Sequence, residues 1–364
     1  MATLAGLILL AISAPTTWAK LSQPTNKING RAPTATGALA VMFPSGTMAV
    51  TNNAVANTTQ KPADFRVSAS ALTLQDLDGD TGLSSSLDTA AVTWVWKNGT
   101  VALTPDQLAA PFSTNFLGKT LTVSASVPVS VSSLTGVPTT GGPKPLNSAT
   151  YSLVVPSSVP VPVVRVNGFS FAMNSGFPKT GFSQAQFQFW MNGTSAADNN
   201  YYTFTADPLA PWVTVNASTG VVKFTGVPAA AQTVNITITD KRGGPATPFS
   251  FRVGTWFVHN GSTTATAAGA DSYCASKSGY ATPSYSTISN AEYNASGARE
   301  PNGRLWNEWG DVGVTDYSGS GWVSSFHWAH EPDSGNRYFV NLRNGFLLSA
   351  GTSNTYYVVC SRTL

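Results

Sequence analysis

Apolar and polar positions alternate along most of the chain from Phe65 onward, in runs too short for helices. Val92, Trp94 and Trp96 share one side of a two-residue repeat, and Asn98-Gly99 behind them reads as a hairpin turn. Leu121 and Val123 continue the pattern, as do Tyr151, Leu153 and Val155. Period-two alternation broken by frequent turn signals predicts an antiparallel sandwich over residues 61–158. The stretch VVPSSVPVPVV (154–164) is dense in proline, which donates no ladder hydrogen bond, so it reads as a stiff extended linker. A second sandwich is predicted over 165–257, from Phe169, Phe171 and Met173, from Phe187, Phe189 and Met191, from Val234, Ile236 and Ile238, and from Phe249, Phe251 and Val253. WVTVNASTGVVKFTG reads there as strand, turn, strand.

The pattern changes at about His259. A short helix carrying Cys274 is predicted over 270–277, and a second helical piece over 290–298. Strands return at the end: RYFVNLRNGFLL with an Asn344-Gly345 turn, and TYYVVC with Tyr356, Val358 and Cys360 alternating. Residues 259–364 thus read as a small α+β domain. Residues 20–60 are rich in Thr, Ala, Asn and Pro, lack sustained periodicity and read as a flexible leader. MATLAGLILLAISAPTTWAK at the start has the apolar core of a secretory signal, with Thr17 and Ala19 at the small-residue positions before a cut after residue 19, although no Lys or Arg precedes it. No later stretch is long enough to cross a bilayer as a helix, so no transmembrane segment is expected.

Composition fits an exported β-rich chain. Only 10% of the 364 residues are charged, and Thr, Ser, Asn and Gly cover much of the remainder. The net charge of +3 is dispersed, with no basic run to hold nucleic acid or an acidic membrane. Two cysteines, Cys274 and Cys360, read as one disulfide in an oxidising compartment; two unpaired buried thiols are the alternative.

Candidate chemistry is sparse, and no cofactor is expected. Glu300-Pro301-Asn302 is a triplet that calcium-dependent lectins use, but here it precedes the Trp-Gly core and no Trp-Asn-Asp follows to supply the six to eight oxygens calcium takes. DLDGDTG (76–82) has Thr81 and Leu87 where an EF-hand loop needs Gly and Glu, so it reads as a polar turn. His327 and His330 with Glu331 lack a third strong ligand at metal-like spacing. No GxSxG elbow marks a nucleophilic serine. Glu308 and Asp311 lie close in sequence, but residues 307–311 of LWNEWGD read as a scaffold turn, so an enzyme acting on envelope glycans through Glu308, Asp311 and Glu331 is a minor alternative. The four tryptophans of LWNEWGDVGVTDYSGSGWVSSFHW read mainly as packing, Trp306 and Trp309 above all. The overlapping stretch DYSGSGWVSSFHWAHEPDSGNR (316–337) mixes aromatic and polar residues around glycines and reads as an exposed recognition loop, which makes Trp322, His327, Trp328, His330, Glu331, Asp333 and Arg337 the candidate contact residues.

Taken as a set, CASKSGY, LWNEWG, SGWVSSFHW, RYFVNLRNG and TYYVVC resemble the C-terminal C-type lectin-like domain of the intimin/invasin family. SGFPKTGFSQAQF with VNASTGVVKFTG resembles the immunoglobulin-like domain that precedes it in that family. The resemblance covers residues 165–364 well and is vaguer over 61–160. It implies a mostly β protein: two tandem Ig-like sandwiches followed by a small α+β C-type lectin-like domain without a calcium loop. It further implies a secreted or surface-associated bacterial adhesin-like protein, exported through the periplasm, whose tip binds a protein or glycoprotein receptor. Family members typically carry an outer-membrane barrel ahead of these domains, and none is expected in this sequence, whose strands read as sandwiches. The chain is similar in this to Zir-type secreted exoproteins, which brings in a partner intimin-like outer-membrane β-barrel transporter and, as an alternative, the role of a secreted effector.

Overall fold

A computed structural model describes residues 30–206, 210–314 and 317–364. The signal-peptide expectation for residues 1–19 lies outside the described residues. The described chain is mostly β, as the alternation requires, with few and short helices. No helix among the described residues is long and apolar enough to cross a membrane.

The first unit is built on Thr120–Ser132. Its sequence TLTVSASVPVSVS puts every second residue inside, from Leu121 to Val131. It pairs antiparallel with Thr93–Asn98, Ser84–Leu87, Thr140–Asn147 and Tyr151–Val154. The predicted flexible leader is corrected for residues 30–60. Thr34–Thr36, Ala40–Met42 and Ala54–Val55 pair with Thr73–Gln75, Arg66–Ser68 and Leu153–Val154. Val41 and Phe43 are fully buried beside Phe65, Trp96 and Phe112. These strands are two or three residues long and pair with remote partners, so they leave no local periodicity. The DLDGDTG turn closes on itself and its neighbours: Asp76 accepts from the Asp78 N–H, Asp78 pairs with Arg31 at 2.8 Å, and Asp80 accepts from Thr135.

Irregular backbone follows over 155–162. At the junction Arg242 of the second unit forms a buried ion pair with Asp240 (2.8 Å) and donates to the Val55 carbonyl at 2.9 Å. Its guanidinium lies 4.5 Å from the Tyr201 ring, whose hydroxyl accepts from the Val55 N–H.

The second unit has one sheet in the order Phe169–Ala172, Val163–Val166, Gln186–Trp190, Val221–Phe224, Val213–Val215. The facing sheet runs Tyr202–Ala206, Thr233–Asp240, Thr247–Arg252. Phe187, Phe189, Phe204, Phe249 and Phe251 fill the space between.

The C-terminal unit holds a six-stranded sheet in the order Thr180–Phe182, Thr255–Ala265, Tyr356–Thr363, Phe326–Asp333, Asn336–Asn341, Phe346–Gly351. Its first strand comes from the second unit and pairs in parallel with residues 255–257. The boundary expected between 257 and 259 therefore runs through one continuous strand, and a single core spans both units. Gly181 permits this contact, because a Cβ there would meet the Trp256 ring at 2.8 Å. The Cys274 helix runs Ala267–Ala275, but residues 290–298 are not helical. Asn290 explains why. Its amide oxygen accepts from the Ala298 N–H and its own N–H donates to Asn307, local side-chain bonds that compete with a helix. Short helices occur instead at Tyr285–Ile288 and at Leu305–Trp309, the latter overlapping residues 307–311, expected to form a scaffold turn.

Candidate functional site

The predicted contact residues divide into two groups. Trp328 is fully buried against Tyr356 (4.8 Å) and donates its Nε1–H to the Ala265 carbonyl. Arg337 is buried too, paired with Asp271 at 2.6 Å and donating to the Ala329 carbonyl. Trp322 is 7% exposed and lies between His259 (4.7 Å) and His327 (5.8 Å), with Phe182 of the preceding unit edge-on at 5.7 Å. His327 is fully buried; its Nδ1 bonds the Ser325 carbonyl, its Nε2 has no partner, and burial pushes its pKa down to about 3. For these four the expectation of an exposed loop is corrected: Phe182 of the second unit covers Trp322, the Cys274 helix packs against Trp328 and Arg337, and His327 is enclosed by Trp322 and Tyr357.

His330, Glu331 and Asp333 stay at or near the surface. His330 is exposed whereas His327 is fully buried, and no group of three or more His, Cys, Asp or Glu among the described residues could hold a metal ion. Glu331 accepts from Ser284 Oγ and from the Tyr285 N–H, which caps Tyr285–Ile288. Asp333 sits at a tight hairpin turn, with Ser334 at φ 48° and Gly335 at φ 87°.

Beside them lies a group that sequence reasoning missed. Tyr285, Tyr293 and Tyr338 gather around Tyr338, with ring centroids 5.0 and 6.2 Å from it. They come from three separate segments, so no local motif joins them. The alternation in RYFVNL was the one available signal, since Arg337 and Phe339 are buried on the face opposite Tyr338.

Glu308, the candidate catalytic carboxylate, lies in the seam between the units and is fully buried. It accepts from the backbone N–H groups of Lys179 (3.1 Å), Thr180 (2.8 Å) and Gly303 (3.1 Å), and from Thr180 Oγ (2.5 Å). Thr180 Oγ in turn accepts from Trp309 Nε1 at 3.0 Å. Asn167 reaches across to the Trp309 and Asp311 carbonyls, and Arg299 to those of Val166 and Glu308. The Asp311 carboxylate is held by Ser324 and Gly313. The Glu308 carboxylate thus acts as an acceptor that closes the seam, while the Asp311 carboxylate is held within the tip. Glu300 likewise accepts from Asn302 and Asn290, so the EPN triplet folds onto its own loop.

Burial pushes the Glu308 carboxyl up to about 7, against its hydrogen bonds. A raised carboxyl contributes stability that is complete below its unfolded value and lost as pH rises through the folded one. The stability advantage of wild type over Glu308→Gln is therefore expected to shrink as pH rises from about 4.5 to about 7, read by chemical denaturation of both proteins across that range. A gap that is constant or widens with pH contradicts this.

Residues 162–251 match the family model of invasin domain 4. The chain is 34% identical over 189 residues to the inverse autotransporter adhesin YeeJ of Escherichia coli (strain K12), covering 50% of this chain and 7% of that protein. It is 31% identical over 173 residues to the invasin of Yersinia enterocolitica, covering 46% of this chain and 19% of that one. The chain thus spans a small part of the length of these relatives. Among solved structures, that of invasin, a bacterial integrin-binding protein, aligns over 90% of this chain and 59% of its own at 22% identity and a TM-score of 0.49. The C-terminal 282-residue fragment of intimin, in complex with the intimin-binding domain of the translocated intimin receptor, aligns over 90% of this chain and 100% of its own at 13% identity and a TM-score of 0.41. Residues 162–251 are thus similar to an invasin domain 4, in a chain homologous over about half its length to an inverse autotransporter adhesin and to an invasin.

Proposed function

We propose that this chain is a bacterial adhesin-type binding protein, secreted or held at the cell surface after passage through the periplasm, whose C-terminal unit docks a protein or glycoprotein receptor without calcium. The observation that carries this reading is the seam. A strand of the preceding sandwich completes the sheet of the tip, and Glu308 and Trp309 close over it, so the tip is presented on a stiff support. Stiff presentation suits docking, because little freedom is left to lose on binding. The homology to an inverse autotransporter adhesin and an invasin supports the same class, and export through a partner β-barrel in the outer membrane is part of the proposal. His330, Glu331 and Asp333 belong to the proposed contact surface.

Fluorescently labelled full chain is expected to bind epithelial cells saturably, to be displaced by excess unlabelled chain, and to bind equally with and without a calcium chelator. Absence of saturable binding contradicts the receptor reading; loss of binding in chelator contradicts calcium independence.

A further inference from the structure

We infer that Tyr285, Tyr293 and Tyr338, rimmed by Glu331 and Asp333, form a docking surface for a cationic protein segment, one that brings arginine or lysine side chains onto the tyrosine faces. This rests on the proposed role of the tip in binding and specifies the chemistry of its partner.

The cluster reaches the surface through Tyr293, while Tyr285 and Tyr338 are half-buried against the core and hold it in place. Tyr293 is 55% exposed. Its segment is pinned to strand Phe346–Gly351 by the Asn294 N–H to the Leu347 carbonyl (2.9 Å) and the Leu347 N–H to the Ala295 carbonyl (3.1 Å). Tyr338 stands on Asn336–Asn341 opposite Ser349, and Tyr285 opens a helix capped by Ser284 and Glu331. Three aromatic rings fixed by backbone bonds offer large contact area with little rotamer entropy to lose, the property that favours tyrosine in recognition surfaces.

Two carboxylates act on the central ring. Burial raises the pKa of the Tyr338 hydroxyl, and Asp333, Tyr285, Tyr293 and Glu331 push it the same way. Among the described residues, no ion pair reaches Glu331 or Asp333. Arg337, next in sequence to Tyr338, is committed to Asp271. Aromatic faces beside carboxylates that have no cation of their own attract a guanidinium or ammonium through the ring quadrupole and the net field together. A neutral sugar can donate hydroxyls to the carboxylates but leaves the ring quadrupoles and the net field unmatched. A cationic side chain can lay its apolar stem on the rings and its head among the carboxylates.

The probe is a hexa-arginine peptide, titrated calorimetrically into the full chain at low salt, with the hexa-citrulline peptide as its neutral counterpart. Tyr293→Ala and Asp333→Asn are the variants; both residues lie outside the core clusters, and circular dichroism checks that each variant folds. The arginine peptide is expected to bind, the citrulline peptide to bind at least tenfold more weakly, and each variant to weaken the arginine peptide about tenfold. Equal affinity for wild type and both variants, equal affinity for the two peptides, or no binding of the arginine peptide overturns the inference. Saturable cell binding by a wild-type chain that ignores the arginine peptide removes the cationic partner and leaves the parent reading standing. Absence of cell binding removes the parent reading itself.

Discussion

Replacing Cys274 and Cys360 together by serine is expected to lower the stability of the C-terminal unit by roughly 4–5 kcal/mol. The bridge joins helix Ala267–Ala275 to the last strand and closes a separation of 86 residues. In the chain-entropy model the cost of leaving so long a loop open in the unfolded state grows with the logarithm of its length. Both sulfurs are fully buried among Trp328, Phe339 and Val358, so two serine hydroxyls there would also be short of hydrogen-bond partners. The helix has nine residues, too few to persist without tertiary support. Guanidinium denaturation of the full chain, followed by tryptophan fluorescence, checks this. A double-serine variant with an unchanged midpoint contradicts it.

Trp309→Ala is expected to cost about 3–5 kcal/mol, and to affect the second unit as well as the tip. Trp309 is fully buried, with Phe177 at 5.0 Å, Phe182 at 5.5 Å and Phe224 at 5.6 Å. Those three phenylalanines belong to the preceding sandwich, while Trp309 belongs to the tip. Its truncation leaves a cavity shared by both units and removes the N–H that Thr180 Oγ accepts, which in turn loosens the bond from Thr180 to Glu308. A variant that destabilises the tip while the melting of residues 162–251 is unchanged would show the seam to be weaker than its geometry implies. Calorimetry of the full chain resolves the two cases.

Much of this architecture was legible in the residues. Thr233–Asp240 alternates without a break because one of its faces packs on the core and the other meets water. Other parts were not legible, for reasons that are physical. Residues 30–60 join the first core through strands too short to show a period. The loop around Trp322 has the composition of a contact surface, but Phe182, about 140 residues earlier in the chain, covers it. No local pattern records a covering element that distant. Glu308 carries the same lesson. A carboxylate near a second carboxylate suggests catalysis until the backbone donors of Lys179 and Thr180 arrive from another unit. The tyrosine cluster was hidden in the opposite sense, since its members are scattered in sequence and meet only when Asn336–Asn341 and Phe346–Gly351 pair.

The central claim is that the tip and the sandwich before it open as one body. Native-state hydrogen exchange of the full chain tests it most directly, through the amides of Lys179 and Thr180, which cross the seam to Glu308. They are expected to exchange only with the slowest class, alongside residues 256–258 in the strand they abut. If those two amides exchange as fast as exposed loops while the strand behind them stays protected, the units are separately hinged and the account fails.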